Sequence, residues 1–280
     1  MSHDKKKTLI VPGDPDFSLF RQAELLDISR SSLYYTQREN PEDKKLMDMI
    51  DVIYTDLPFY GSRRMKNELL DRYQVCVCRE HIQRLMRKMG IETIYPKKAP
   101  NTSAGDASHK KYPYLLKDLT ASYPNHIWGT DITYIRTEEG WAYLVALIDW
   151  YSRYVVAWEI STSMETEFCM STLNRALVIA MPTIHNSDQG VQFTDKKYIG
   201  ILEEKKVGIS MDGRGRCMDN IFTERLWRTV KYENIYLSSY RNASETKEGL
   251  GKYFPFYNEK RRHQSLDYRT PAEVYFGNKK

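Results

Sequence analysis

Three acidic residues of the C-terminal half, Asp131, Asp188 and Glu224, have the types and surroundings of a metal-binding site. Asp131 lies in a run of alternating polar and β-branched or aromatic residues that predicts a strand. Asp188 ends a short strand-like run and precedes the turn signal Gln189-Gly190, and Glu224 lies on a helix predicted to begin near Asp219. Carboxylates at strand ends and on a facing helix can supply the oxygen ligands of a pair of hard divalent cations.

Each of these acids also has an ordinary structural interpretation. Asp131 could form a turn at the end of its strand, Asp188 could form an Asx turn before Gly190, and Glu224 could pair with Arg228 on a solvated helix face. Asp131 is the hardest to explain in this way, because a carboxylate inside an apolar strand costs stability unless it is paired or coordinated.

The spacing of apolar residues predicts which way the Glu224 helix faces. Its predicted core-facing stripe consists of Phe222, Leu226, Thr229 and Val230. Glu224 then points away from the core, and Arg228 and Lys231 share its face.

The composition is that of a soluble globular protein, since 28% of the 280 residues are charged and 41% are hydrophobic. No apolar run reaches the roughly 18 residues of a membrane span, and the segment after Met1 lacks the apolar core of a signal peptide. We therefore expect a cytoplasmic protein that does not contact a membrane. The four cysteines show no disulfide-framework spacing, so reduced thiols are expected.

The net charge of +5 is unevenly distributed. Lys and Arg outnumber Asp and Glu by six over residues 61–98 and again by six over 225–280, whereas acids are in excess by five over 131–190. An acidic middle between basic arms suits a phosphate-bearing polymer that is held on both sides of a metal site. An ordinary solvated surface explains the asymmetry equally well.

The chain is predicted to divide into an N-terminal helical segment over 1–42, a helix-turn-helix-like module over 43–98, a linker over 99–117 and a catalytic core with basic C-terminal helices over 118–280. In the first segment, residues 20–35 predict two short helices with Ser29 as the N-cap of the second. This pattern fits a helix-turn-helix or a plain helical hairpin.

The 43–98 segment predicts three helices with basic faces. Leu46, Met49, Ile50 and Ile53 have helical spacing, as do Ile82, Leu85, Met86 and Met89 on the third helix. Arg84, Arg87 and Lys88 lie largely off that last stripe, which favours a DNA-binding module over simple solvation. Cys76, Cys78 and His81 lack a fourth zinc ligand at normal spacing, so packing before the third helix is preferred.

The segment after the linker predicts an α/β fold. Strands over 126–136, 141–150 and 153–160 are joined by short connections that favour an antiparallel meander. A helix over 165–180, the strand that ends at Asp188, a helix over 195–205 and a strand over 207–211 follow. This is the element order of a ribonuclease-H-like core, with a mixed sheet flanked by helices.

Three sequence blocks carry a family resemblance: WGTDITYI at 128–135, NSDQGVQF at 186–193 and DNIFTERLWRTVKYE at 219–233. Thirty-five residues separate Asp188 from Glu224. The blocks resemble those of bacterial insertion-sequence transposases with a retroviral-integrase-type core and a D,D-35-E triad. YNEKRRHQSLDYRTPAE at 257–273 resembles the C-terminal block of that family, and residues 60–64 and 84–86 resemble its helix-turn-helix-like module.

The resemblance implies a transposase that cleaves the ends of an insertion sequence and transfers strands in DNA integration. Asp131, Asp188 and Glu224 would hold two Mg²⁺ or Mn²⁺ ions, about 3.5–4 Å apart as in other two-metal sites. Other acids compete for the site: Asp149 also lies on a predicted strand, and Asp195 and Asp219 flank the later blocks. They rank second because none keeps the block context. The residues expected to contact DNA are Arg63, Arg64, Arg84, Arg87, Lys88, Arg228 and Lys231.

The resemblance also implies partners. These are the terminal repeats, the target DNA, a homo-oligomer on DNA, and the product of a small upstream frame or a fusion with it, since this chain resembles the downstream or OrfB product. Two positions depart from the family pattern: Asp212 stands where a hydroxyl or basic residue is expected, and Arg262 stands where proline is common. The alternatives are a catalytically inactive relic that only binds DNA and a nuclease of the same fold that only hydrolyses.

Overall fold

A computed structural model describes residues 3–29, 31, 40–94, 112–213 and 220–277. The chain folds as two compact units, Met1–Glu92 and Thr93–Lys280. Most of the predicted linker, residues 99–111, lies outside the described residues.

The first unit begins with two short helices, α1 (His3–Lys7) and α2 (Leu19–Leu25). The Ser18 side chain caps α2 by accepting from the Arg21 backbone N–H. The second helix predicted over 29–35 lies, apart from Ser29 and Ser31, outside the described residues.

Three longer helices complete this unit: α3 (Pro41–Asp56), α4 (Ser62–Tyr73) and α5 (Arg79–Lys88). Their apolar stripes meet in one buried cluster of Ile50, Ile53, Met65, Leu69, Ile82, Leu85 and Met86. The predicted stripes on the first and third of these helices therefore do form the core. Pro41 stands at the start of α3, where its missing N–H costs no hydrogen bond.

A buried carboxylate links α3 to α5. Asp43 contacts His81 Nε2 at 2.7 Å and accepts from Arg84 Nη2 at 2.8 Å, and only 7% of the residue is exposed. Hydrogen bonds from Arg84 and then His81 lower the pKa of Asp43. Arg84, which the sequence predicted to contact DNA, is thus engaged within the module.

The second unit is built on a five-stranded mixed sheet. Its strands are β1 (Ile127–Thr137), β2 (Gly140–Asp149), β3 (Val155–Ser161), β4 (Ile184–Ser187) and β5 (Gly208–Met211). Their order is β3-β2-β1-β4-β5. The first three strands pair antiparallel, as predicted, whereas β4 pairs parallel to both β1 and β5.

Helices cover both faces of this sheet. Along β2, Leu144, Ala146 and Ile148 belong to one buried cluster, and the intervening Val145 and Leu147 belong to another. Because alternate residues of a strand point to opposite faces, the two clusters lie on opposite sides of the sheet. The helices α6 (Thr166–Ile179), α7 (Val191–Thr194) and α8 (Lys196–Glu204) contribute to the cluster that contains Val145 and Leu147.

The other face carries the C-terminal elements. They are α9 (Ile221–Val230), a π-helical turn (Lys231–Ile235), α10 (Tyr236–Ser238), α11 (Ala243–Glu259), a 3₁₀ turn (Gln264–Leu266) and α12 (Pro271–Tyr275). The Asn258 side chain accepts from Val155 N–H and donates to Val155 C=O, which satisfies backbone groups of the edge strand β3.

The described end of the predicted linker, residues 112–117, packs on this unit. Leu115 N–H donates to Ser210 Oγ at 3.1 Å, and Leu116 is 4% exposed. Within the described part of the chain, no helix is long and apolar enough to cross a membrane.

We expect Asp43→Asn to loosen the packing of α5 on α3, because an amide cannot maintain charged hydrogen bonds to both Arg84 and His81. The measurement is hydrogen–deuterium exchange in Arg79–Lys88, which should accelerate in the variant. Since the pKa of Asp43 is lowered, the stabilisation is present above its ordinary pKa and is lost as the pH falls through the lower folded value. Asp48→Asn, at an exposed position on the same helix, is the control and should leave exchange unchanged.

Candidate active site

The parallel register of β1 and β4 brings two of the predicted acids to the same level of the sheet. Gly129 pairs with Asn186, and Asp131 and Asp188 lie two residues further along their respective chains. Neighbouring strands are about 4.8 Å apart. The two carboxylates therefore stand at the carboxyl end of β4 and beside it in β1, although 56 residues separate them in sequence.

Asp131 is held by two donors. Its Oδ1 accepts from the Ile132 backbone N–H at 2.8 Å, and its Oδ2 accepts from Trp227 Nε1 at 2.9 Å. Burial raises the pKa of Asp131 to about 7, and the negative charges of Asp188 and, to a smaller extent, Asp212 add to this rise. The two hydrogen bonds oppose it without cancelling it.

Asp188 does form the Asx turn that its sequence context allowed. Its Oδ1 accepts from Gly190 N–H at 2.8 Å. The residue as a whole is exposed, but its carboxylate lies in dense enough surroundings that burial raises its pKa. The turn therefore fixes the carboxylate and leaves Oδ2 for another partner.

Helix α9 is fastened to β1 immediately beside Asp131. Asn220 Nδ2 donates to the Thr130 carbonyl oxygen at 3.2 Å, and Trp227 donates to Asp131 itself. Glu224 lies one turn before Trp227, and residues at this spacing have Cβ atoms about 5–6 Å apart. Its side chain is exposed, and partial burial raises its pKa.

The buried stripe of α9 differs from the predicted one. Thr223, Leu226, Trp227 and Val230 are buried, whereas Phe222 and Thr229 are only half-buried. The prediction was wrong at Thr229 and missed Thr223 and Trp227, whereas Phe222 is half-buried and packs against the core cluster. The Trp227 indole covers apolar surface and also supplies the N–H that Asp131 accepts. Glu224 nevertheless faces away from the core, as predicted.

Phe222 instead lies against residues of the β2–β3 turn. Its ring contacts Trp150 edge to face at 5.2 Å, and the Arg153 guanidinium stands 3.6 Å from its centroid. Burial lowers the pKa of Arg153 to about 10. This cation–π contact fixes the first turn of α9, on which Glu224 lies.

Of the two predicted basic neighbours of Glu224, Lys231 is the one that faces Asp131. Burial lowers the pKa of Lys231, and the charge of Asp131 opposes that shift. Arg228 is exposed and stands over the Tyr232 ring at 5.3 Å. The π-helical turn that carries Lys231 is held by a buried ion pair, in which Arg261 Nη2 donates to Glu233 Oε1 at 2.6 Å.

Two of the competing acids have structural roles. Asp149 is fully buried and accepts from Asn125 N–H, Ser152 N–H and Ser152 Oγ. Asp195 caps α8 by accepting from Lys197 N–H at 2.7 Å. Asp219, the third of them, lies outside the described residues.

The structure thus brings Asp131 together with Asp188, Trp227 and Lys231, and it leaves the Glu224 carboxylate apart from them. In the described ranges, no three His, Cys, Asp or Glu side chains are grouped closely enough to hold a metal ion. Sequence reasoning missed the role of Trp227 and the approach of α9 to Gly129. A glycine inside a strand was the available signal, since it often marks close approach of another segment.

Comparison with known proteins shows which family the chain belongs to. Two integrase core domain models match residues 121–217 and 205–271, and an HTH-like domain model matches residues 41–99. The insertion element IS600 uncharacterized 31 kDa protein of Shigella sonnei is 30% identical over 260 residues, covering 89% of this chain and 95% of that protein. The transposase for IS629 from the same organism is 29% identical over 262 residues, covering 89% and 88%.

A chain in the cryo-EM structure of the simian T-cell lymphotropic virus intasome, in complex with a PP2A regulatory subunit, has a similar fold. Its TM-score is 0.50 at 13% identity, over 82% of this chain and 75% of that one.

The mixed sheet with helices on both faces defines a ribonuclease-H-like integrase core preceded by a helix-turn-helix-like domain. The chain belongs to the insertion-sequence transposases, as an OrfB-type member of the IS3 family. It is a polynucleotidyl transferase of the DDE class that acts on DNA, and neither the relic nor the purely hydrolytic nuclease is favoured.

We expect Gly129→Ala to destabilise the core domain by about 1–3 kcal/mol, the usual cost of overpacking a filled site. A Cβ at Gly129 would collide with the Trp150 indole and lie 2.9 Å from Thr223 Oγ1. Urea unfolding followed by tryptophan fluorescence measures the change. Gly200→Ala is the matched control, because its Cβ meets nothing within 4 Å, and on a helix it should stabilise by about 0.5–1 kcal/mol.

Proposed function

We propose that Asp131, Asp188 and Glu224 are the catalytic carboxylates of this transposase and that they hold two divalent cations, Mg²⁺ or Mn²⁺, during end cleavage and strand transfer. One observation carries the proposal: Asp131 and Asp188 lie on adjacent parallel strands, close enough that the charge of Asp188 raises the pKa of Asp131. Two carboxylates placed side by side and partly removed from water are costly unless a cation balances them.

The donor set fits such cations. The side chains are all carboxylates, and hard cations such as Mg²⁺ select oxygen ligands. Trp227 donates a hydrogen bond to Asp131 Oδ2, and Gly190 N–H donates one to Asp188 Oδ1. These bonds orient both carboxylates and leave oxygen lone pairs that can bind a cation. Orienting hydrogen bonds of this kind are typical of metal-binding carboxylates.

Glu224 completes the set by reorientation. Its carboxylate is exposed, and its position one turn before Trp227 keeps it within side-chain reach of the strand end. The Asn220–Thr130 hydrogen bond and the Arg153–Phe222 contact hold the backbone of this turn in place. Only rotation about side-chain bonds is then required for Glu224 to join Asp131 and Asp188.

Cations held by Asp131, Asp188 and Glu224 would supply activation of the attacking water or 3′-hydroxyl and stabilisation of the leaving 3′-oxygen in displacement at phosphorus. Asp131 and Asp188 orient that chemistry at a fixed place on the sheet. Lys231 is half-buried and its charge interacts with that of Asp131, so we propose that it also attracts a phosphate oxygen of the DNA.

DNA contacts outside the core are proposed on α5. Arg87 and Lys88 are exposed and lie off the buried stripe of Ile82, Leu85 and Met86. Arg84 is tied to Asp43, so we assign it to stabilising the module more than to binding phosphate. Arg63, which is exposed, Arg64, which stands over the Tyr60 ring at 5.2 Å, and Arg228 are further proposed contacts.

Oligomerisation and the upstream partner are also proposals. Two DNA ends have to be joined to one target, so at least two copies of the chain would act together on DNA. The product of a small upstream frame, separate or fused, would add terminal-repeat recognition.

We expect Asp131→Asn, Asp188→Asn and Glu224→Gln each to abolish metal-dependent nicking and joining of labelled element-end DNA, since each removes a charged oxygen ligand without changing side-chain shape. Binding of the same DNA, measured by fluorescence anisotropy in Ca²⁺, should be retained. Asp195→Asn and Glu204→Gln are matched controls, because asparagine also caps a helix and Glu204 is exposed. A triad variant that still cuts, or controls that lose activity, would contradict the assignment.

We expect Arg87→Gln with Lys88→Gln to weaken DNA binding uniformly across sequences. The slope of log K against log salt concentration should fall by about one for each phosphate that the variant no longer neutralises. Lys44→Gln with Lys45→Gln, exposed on α3, is the matched control. The measurement is anisotropy at several salt concentrations. An unchanged salt slope for the α5 double variant would remove α5 from the DNA interface.

A further inference from the structure

A third acidic residue, Asp212, lies at the same end of the parallel strands, directly after β5. The parallel register of β4 and β5 ends with the pair Ser187 and Met211. Asp188 and Asp212 follow directly, and Asp212 N–H donates to the Ser187 carbonyl oxygen at 2.9 Å. Asp188 and Asp212 therefore follow the carboxyl ends of β4 and β5, and Asp131 lies within the adjacent strand β1.

The Asp212 carboxylate is held in place by its neighbours. Asn186, which is fully buried, donates from Nδ2 to Asp212 Oδ1 at 2.8 Å. Gln189 donates from Nε2 to the Asp212 backbone carbonyl oxygen at 2.8 Å. Asp212 is thus anchored through its backbone on both sides and through its side chain.

The side-chain amides of Asn186 and Gln189 each have an oxygen atom without a hydrogen-bond donor among the described residues. Asn186 Oδ1 and Gln189 Oε1 are buried and accept no hydrogen bond from any residue that the structure describes. A buried acceptor without a donor is costly, and carbonyl oxygen is a ligand that hard cations accept as readily as carboxylate. Two such oxygens beside a carboxylate indicate a place for positive charge.

Asp212 directly follows Met211, which pairs with Ser187, so its negative charge lies on the strand next to Asp188 and close to the proposed metal site. No three carboxylates are close enough in the described ranges to share one ion. The position of Asp212 therefore favours an effect of its negative charge on the bound ion over direct coordination of that ion.

We propose that Asp212 is a further acidic residue of the metal site and that it tightens the binding of divalent cations before DNA arrives. The inference rests on the proposed function of Asp131 and Asp188. The family resemblance led us to expect a hydroxyl or basic residue at this position.

The test is Mn²⁺ binding to the full-length protein without DNA, measured by isothermal titration calorimetry. Asp212→Asn should weaken Mn²⁺ binding about tenfold, the lower range for a residue that supports metal ligands. Asp212→Ser, which restores a hydroxyl, should weaken it similarly, and Asp212→Glu should recover most of the affinity. The melting temperature of each variant in EDTA shows whether it is folded without metal.

Asp188→Asn in the same titration separates the two claims. If Asp188→Asn loses Mn²⁺ binding and Asp212→Asn binds as the parent does, the role of Asp212 is wrong and the proposed function stands. If neither substitution changes binding, the proposed metal site is wrong as well. If Asp212→Asn is unstable in EDTA, the Mn²⁺ affinity of Asp212→Glu tests the inference instead. The inference is wrong if Asp212→Glu is folded but binds Mn²⁺ as weakly as Asp212→Asn does.

Discussion

The contact between strand β1 and helix α9 is the constraint on which the rest of the active site depends. The half-buried carboxylate of Asp131 is tolerated because it accepts a hydrogen bond from Trp227, which lies 96 positions later in the chain. That hydrogen bond requires α9 to pack closely against β1. Gly129 allows this close packing, because a side chain there would collide with Trp150 and Thr223. Helix α9 also carries Glu224, and the π-helical turn that follows it carries Lys231. The packing of α9 on β1 therefore positions both Glu224 and Lys231.

Electrostatically, the site is unfavourable without a cation. The sheet register sets Asp131 beside Asp188 and Asp188 beside Asp212. Burial raises the pKa of Asp131 to about 7, and the charges of Asp188 and Asp212 add to this rise. The surrounding structure holds the acids there through hydrogen bonds from Ile132, Gly190 and Asn186. Stability lost at such a place has to be recovered elsewhere, and the apolar clusters on both faces of the sheet provide it.

Counting charges along the sequence overstates how much positive charge meets DNA. Arg84 is paired with the buried Asp43, and Arg261 is 4% exposed in its ion pair with Glu233. These cations stabilise their own domains, because a buried carboxylate needs them. The basic side chains that remain exposed at described positions, such as Arg87, Lys88 and Arg228, are the better measure of a phosphate-binding surface.

The sequence by itself determined the strands, the helices and the order and spacing of the acids, because these depend on local periodicity, turn residues and helix caps. It also indicated that Asp131 was the costliest acid to leave unpartnered. Only the tertiary structure decided that Thr223 and Trp227 are buried on α9 while Thr229 is half-buried, that Asp149 is a structural acceptor, and that Asp212 stands beside Asp188. These facts follow from strand register and from packing between residues far apart in the chain, and no local pattern encodes which distant side chain will meet which.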